Sequence, residues 1–408
     1  MPGLRVAVTG VGVISACGCG VPAFWDSMRE GRPAITRLSG VDPGRLRFPN
    51  GAQVRGFDVS AHFEPKIADV LDPFAQFAVV AAREALRDAG IDWKRHEPGR
   101  CAVVTGCCVG GQASEDAGFV DLYLEKRERV HPLTIPRIMS NAGACYIAME
   151  QGITGPVFTV STACSSANHA IGQAFWMVRQ GIVDMAIAGG SEAIFSFGFL
   201  KAWEAMRVVS PDTCRPFSRD RKGLILGEGA GMLILEPLEG ARARGARVYG
   251  ELAGFGMSSD AFHLTQPSPP GAALAMRRAL EDAAIPPEAV GYIKAHGTAT
   301  ASNDPAEIKA IRSAFGAHAE RLMISSTKSM HGHALGAAGA LEGIASLLAL
   351  YHGIIPPTAN FTAPDPECDL DVVPNRPRPA RVRFALSNSF AFGGLNACLV
   401  FQAPDQSI

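Results

Sequence analysis

The chain has 408 residues and a formal net charge of −1, with 38 Lys+Arg against 39 Asp+Glu. That balance excludes a global electrostatic attraction to nucleic acid or to an anionic membrane surface. Apolar residues make up 47% and charged residues 19%, which implies a large interior and surface covered by a partner subunit.

The opening "MPGLRVAVTG" runs into a strand pattern and not into a basic stretch followed by an apolar one, so no signal peptide is expected. No uninterrupted apolar run reaches the roughly 18 residues of a membrane span. "LRVAVTGVGVIS" reads as a strand, "PFAQFAVVAAREALRDAG" as a helix and "RCAVVTGCCVGG" as a second strand. "PVFTVS" is a strand ending at Thr162, and a helix is expected from Cys164 through "CSSANHAIGQAFWMV". "DMAIAGGSEA" and "GEGAGMLILEPL" are further buried strands.

The order then recurs. "RVYGELAGFGMSSDA" answers the first strand, "GAALAMRRALEDAAI" the first helix and "VGYIKAHGTAT" the second strand. "LMISSTKSMHGHALGAAGALEGIASLLAL" answers the Cys164 stretch, with Ser326-Thr327 in the place of Ser161-Thr162. "VRFALSNSFAFGGLNACLVF" closes the second set. The expectation is an α/β protein of two duplicated halves, 1–248 and 249–408, packed as one layered unit.

The ten cysteines show no disulfide framework, and a chain this long does not need one. A reducing, cytoplasmic setting follows. The pairs Cys17/Cys19 and Cys107/Cys108 are spaced more tightly than zinc ligand pairs and read as buried thiols, so no metal is expected.

Four stretches carry chemistry. Cys164 falls at the start of a helix, where unpaired amides and the helix dipole lower a thiol pKa. Its neighbours Ala163, Ser165, Ser166 and Ala167 are small and leave room for a substrate; a packed core thiol fits this stretch equally well. His296 lies just past a strand, the usual place for an α/β active site, with the hydroxyls of Thr298 and Thr300 beside it. In the third stretch Lys328 can pair with Glu342, and His331 and His333 flank a glycine. A surface loop would also account for those two histidines. In "NSFAFGGLNA", two glycines after Phe392 suggest a turn whose amides face a cavity, as an oxyanion site requires. A thiol, two imidazoles and such a turn at one pseudo-twofold centre suit covalent acyl transfer.

These motifs, "TACSS", "HGTAT", "STKSMHGHALGAAG", "GEGAGMLILE" and "NSFAFGGLNA", resemble those of the β-ketoacyl-acyl carrier protein synthases, condensing enzymes of the thiolase superfamily. The likeness runs from "VAVTGVGVIS" to "NACLVF". Within the family, "CSSANHAI", "LKAWEAMR" and "PPTANFTAPDPECDLDV" are most similar to the ketoacyl synthases of nodulation-factor biosynthesis. The resemblance implies a five-layer αβαβα thiolase-like fold and elongation of an acyl chain by two carbons from a malonyl carrier. It implies Cys164 as nucleophile, and His296 and His333 in decarboxylation. Lys328 and Glu342 would support His333, and the amides of Cys164 and Phe392 would form the oxyanion hole. Thr298 and Thr300 would hold the phosphopantetheine arm, which arrives on the carrier, so no bound cofactor is implied. Phe390 and Phe392 would contact substrate, with Phe392 on a mobile gate, and Val109 would bound the acyl pocket. Arg207 and Lys66 would meet the acidic carrier protein. A homodimer is implied, with a heterodimer alongside a second ketosynthase-like subunit as the alternative.

The sequence departs from the family at several points. Ala391 replaces a Gly and would stiffen the gate; Leu395 replaces a Thr and Ala301 a Pro. His331 replaces a Thr and either adds a third imidazole or, the favoured reading, faces a loop. Two other functions compete: a silent chain-length-factor subunit, against which Cys164 and both histidines argue, and an acyl-binding module without turnover.

Overall fold

A computed structural model describes residues 3–405. The first half contributes β1 (Val6–Ser15), α1 (Pro73–Ala89), β2 (Cys101–Gly106), α2 (Ala142–Gln151), β3 (Val157–Val160), α3 (Ser166–Arg179), β4 (Met185–Glu192), α4 (Phe197–Met206) and β5 (Gly229–Pro237). The second contributes β6 (Gly250–Ser259), α5 (Pro269–Asp282), β7 (Val290–Lys294), α6 (Asn303–Phe315), β8 (Met323–Ser325), α7 (Ala338–His352), β9 (Phe384–Ala391) and β10 (Leu395–Gln402).

The strand order is β3-β2-β4-β5-β1-β6-β10-β9-β7-β8, the same arrangement on either side of the centre. In each half two parallel pairings, β2 with β3 and β4, or β7 with β8 and β9, are followed by two antiparallel ones. The half-sheets join where Val6–Val8 pair antiparallel with Gly250–Leu252.

Local chemistry sets the elements. All ten residues of β1 are buried, as expected of a strand covered on both faces. Proline opens α1 after Asp72, whose carboxylate accepts the Phe74 N–H at 3.2 Å, and Gly90 closes the helix at φ 61°. α1 and α2 cover the outer face of the first half-sheet and α5 that of the second, with α6 packed against α5. α3 and α7 lie between the half-sheets and touch strands of both, giving five layers.

α7 is buried at every position from Ala338 to Leu350, because it has protein on all sides. By composition the stretch Leu335–His352 could cross a membrane, with mean hydropathy 1.2, but 89% of it is buried inside the fold. It is not an uninterrupted apolar run, since Glu342 lies within it.

The two inner helices meet where a Cβ on Gly339 would stand 2.4 Å from Asn168 Oδ1. Asn168 in turn donates from Nδ2 to Ser387 O at 3.2 Å and Ala397 O at 3.1 Å, reaching β9 and β10. Gly339→Val should overpack this crossing by about 1–3 kcal/mol. A lower melting temperature in calorimetry checks it; an unchanged one would mean that the crossing relaxes freely.

Candidate active site

The strand before Cys164 stops at Val160 and the helix starts at Ser166, so Ser161–Ser165 form an elbow outside regular structure. Ala163 turns it at φ 50°, a strained conformation for a residue with a Cβ. The Ser166 hydroxyl braces the elbow, donating to Ala163 O at 2.6 Å and accepting the Thr162 N–H at 2.9 Å. Cys164 is therefore presented just before α3, not within its first turn, and is 7% exposed.

The expected lowering of its thiol pKa does not occur. Burial pushes the thiol up to about 11. Lys328, and the backbone N–H groups of Phe392 and Cys164 that face the sulfur, oppose this without overcoming it. The physical reason is desolvation, which outweighs the nearby donors when the sulfur has left water.

His296 follows β7, and His333 lies between the short helix Lys328–His331 and α7. Their rings stand 5.4 Å apart, nearly perpendicular, and the reactive atoms of Cys164, His296 and His333 all lie within 4.8 Å of one another. Burial, then the Lys328 charge, holds both imidazoles well below the ordinary histidine pKa. Both are therefore neutral at pH 7.

Lys328 Nζ donates to His296 O at 2.7 Å and to Glu342 Oε1 at 2.5 Å, and stands 3.3 Å from His296 Nδ1. An ammonium only donates, so Nδ1 accepts and the ring proton sits on Nε2. Lys328 thus bears directly on His296, whereas His333 feels its charge through space. His333 Nδ1 has no partner among the described residues.

A cavity of about 230 Å³ contains Cys164, His296, His333 and the paired hydroxyls of Thr298 and Thr300, 2.9 Å apart. Phe390, whose ring is 6.1 Å from that of His296, and Phe392 also line it. Phe392 stacks on Trp203 with centroids 6.2 Å apart.

Val109 does not line this cavity. It packs behind it, in the cluster that includes Phe392, Leu335 and Leu200, and its N–H donates to Glu192 at 3.3 Å. Arg207 is exposed next to the cavity residue Met206, in left-handed backbone at φ 57°. Lys66 is exposed on the surface helix Pro65–Ala68, no residue of which lines the cavity.

The histidine loop expectation fails. His331 is fully buried in the short helix, with Nε2 2.9 Å from Thr327 Oγ1 and its ring 6.3 Å from Phe24. Gly332, at φ 69°, turns the chain so that both neighbours point inward. Ala391 also differs from expectation. It is ordinary extended backbone paired with Leu395, while the positive angles sit at Gly393 (φ 85°) and Gly394 (φ 71°). The methyl therefore strains nothing in this conformation.

Three residues without an assigned role prove central. Glu192 accepts the amides of Cys108 at 2.7 Å and Gly336 at 3.0 Å, tying a loop of each half together. Glu307 accepts the His296 and Gly297 amides, each at 2.8 Å, and fixes the histidine turn. Lys294 shares Glu342 Oε1 with Lys328, at 3.1 Å.

A duplicated α/β fold with a cysteine elbow, two neutral histidines and convergent backbone donors defines a thiolase-like condensing enzyme. The chain matches the Beta-ketoacyl synthase N-terminal domain over residues 4–241 and the C-terminal domain over 249–362, and it belongs to the β-ketoacyl synthase family. It is 47% identical to Nodulation protein E of Rhizobium sp. (strain N33), over 98% of this chain and 99% of the relative. It is 38% identical to 3-oxoacyl-[acyl-carrier-protein] synthase 2 of Staphylococcus aureus (strain MRSA252), over 98% of both chains. The solved structure described as the ishigamide ketosynthase/chain length factor superposes with a TM-score of 0.94 at 37% identity, covering 98% of this chain and 99% of that one.

A thiol held at about 11 should alkylate slowly at neutral pH. The rate of Cys164 modification by iodoacetamide, followed by peptide mass spectrometry, should climb steadily beyond pH 9. Lys328→Met should lower it further, because the lysine charge pulls the thiol down. A plateau below pH 8 would contradict the burial argument.

Proposed function

We propose that this ketosynthase elongates acyl chains on an acyl carrier protein by decarboxylative Claisen condensation, with Cys164 as acyl acceptor and both histidines acting on the malonyl unit. The observation that carries this reading is the convergence of Cys164, His296 and His333 within 4.8 Å, facing one cavity.

In the first step the Cys164 sulfur attacks the acyl thioester carbonyl. The amides of Cys164 and Phe392, which face the sulfur, are suited to receive the oxyanion. Such a donor is typically worth about 3 kcal/mol in the barrier. The carrier thiol leaves with the proton that the cysteine gives up, and a neutral imidazole is available to pass it. In the second step the malonyl thioester enters along Thr298 and Thr300. His296 Nε2–H and His333 donate to its carbonyl oxygen as the carboxylate carbon bond breaks, releasing carbon dioxide and leaving an enolate. The enolate carbon then attacks the Cys164 thioester. Collapse of that adduct expels the Cys164 thiolate, which takes up a proton from water to return as the thiol, and releases a 3-oxoacyl carrier two carbons longer.

Phe392 stands between the cavity and the cluster holding Val109, which suits a gate into the acyl pocket. Arg207, exposed near the cavity mouth, suits an acidic carrier; Lys66 has only its exposure in its favour. The outer strand β3 has Phe158 exposed on it, and Phe119, Tyr123, Leu124 and Ile135 are exposed between β2 and β3. That apolar face supports a homodimer, with a heterodimer as the second reading; the solution mass of the purified chain separates dimer from monomer. Ten unpaired cysteines fit a cytoplasmic location.

Purified protein, acyl carrier and malonyl carrier, read by mass spectrometry, test the mechanism. Cys164→Ala should take no acyl group. His296→Ala and His333→Ala should still acylate but lose decarboxylation by roughly 10²–10⁴-fold. Condensation by the Cys164→Ala variant would sink the proposal, and acylation without extension by the wild type would favour an acyl-binding role.

A further inference from the structure

Lys294 ends β7, two residues before His296, and its side chain is fully buried. Its Nζ donates to Ala295 O and to Glu342 Oε1, both at 3.1 Å. The same carboxylate oxygen takes Lys328 Nζ at 2.5 Å, and Glu342 Oε2 has no partner among the described residues. Two ammonium groups therefore share one oxygen, and one of the two touches His296 at both its carbonyl and Nδ1. One lysine would already balance one glutamate. Burying a second is unfavourable unless its charge is used.

We propose that Lys294 is a positioning residue that keeps the Lys294–Glu342–Lys328 cluster net positive, so that the Lys328 charge stays directed at His296 and at the enolate formed beside it. This rests on the decarboxylating role given to His296 above. A carboxylate divided between two ammoniums neutralises neither. Without Lys294, Glu342 belongs to Lys328 alone, and the field at His296 weakens.

The groups facing Lys294 are Glu342 on α7, Lys328 and His331 on the short helix, and Glu307 on α6. Those facing His296 are Lys328, His333, Lys294 and the Cys164 thiol, with Glu307 on its backbone amide. Burial lowers the Lys294 ammonium to about 8, opposed by Glu342 and aided by Lys328. The cluster therefore carries its extra charge below that pH and loses it above. The rings of His296 and His331, both within reach of the Lys294 charge, supply a readout independent of turnover.

The test compares wild type with Lys294→Gln, which keeps donors for Ala295 O and Glu342, and Lys294→Met, which does not. Malonyl-carrier decarboxylation by wild type should fall several-fold through about pH 8. Both variants should run at the low rate from pH 7 upward, without the inflection. In carbon-13 histidine NMR of the resting enzyme, the His296 and His331 ring signals should shift with the same midpoint in wild type and in neither variant. The proposal is overturned if Lys294→Gln keeps the wild-type rate and inflection, if only Lys294→Met is impaired, or if wild type shows no such NMR transition. An NMR transition in a wild type that never decarboxylates malonate would leave the charged cluster standing and remove the proposed function instead.

Discussion

The site depends on how closely α3 and α7 cross. Both helices are sandwiched between half-sheets, and each begins near a reactive group: α3 just after Cys164, and α7 just after His333. Glycine at position 339 lets α7 press onto Asn168 of α3. Asn168 then spends its amide on carbonyls of β9 and β10, so a side chain from one half completes the backbone pairing of the other. A wider crossing would separate sulfur from imidazole by the width of a side chain. Duplication alone makes two similar strand ends; this contact makes them one site.

Burial at that crossing sets the electrostatics. Removing water raises the thiol and lowers both imidazoles, so the neutral form of each is favoured together. A neutral imidazole whose Nδ1 faces Lys328 can present only Nε2–H to the cavity, which suits hydrogen bonding to a carbonyl that is becoming an enolate. A readier thiolate would speed the first half-reaction only; in the second the sulfur is held as a neutral thioester, and the neutral imidazoles face the forming enolate. Glu192 and Glu307, pushed up by burial yet held by backbone amides, brace the loops rather than add charge to the cavity.

The sequence made the duplication legible because each half repeats the same strand–helix order, and because the Ser-Thr pairs recur at the same structural place. Cys164 and His296 were legible through their position just past strands, and His333 through the recurrence of the Cys164 stretch. The thiol pKa was not, because helix position is local in sequence while desolvation comes from the packing of distant residues around the sulfur, which outweighs the pull of Lys328 and the Phe392 amide. His331 was misread for a related reason: a glycine between two histidines looks like a loop, and only the angle at Gly332 turns it into a buried corner. The carboxylates that organise the site were the least legible. Glu342 reaches Lys294 across 48 positions and Glu192 reaches Gly336 across 144, and no periodicity reports such contacts.

The same distinction between local pattern and long-range contact decides how the Phe392 turn can move. Sequence comparison with the family directs attention to Ala391, yet that residue is plain strand. The freedom lies at Gly393 and Gly394, and it is restrained from outside the turn. Gly393 N–H donates to Leu264 O at 2.7 Å, and Asp260 N–H donates to Gly394 O at 2.8 Å. A shift of Phe392 that opens the way toward Val109 therefore has to break the stack on Trp203 and carry the 260–264 loop along, or exchange those two hydrogen bonds. Phe262 and Leu264 on that loop are 68% and 73% exposed, so few buried contacts oppose its movement. The turn and the loop form one linked unit over the cavity, and the methyl of Ala391 acts at its root, not at its hinge.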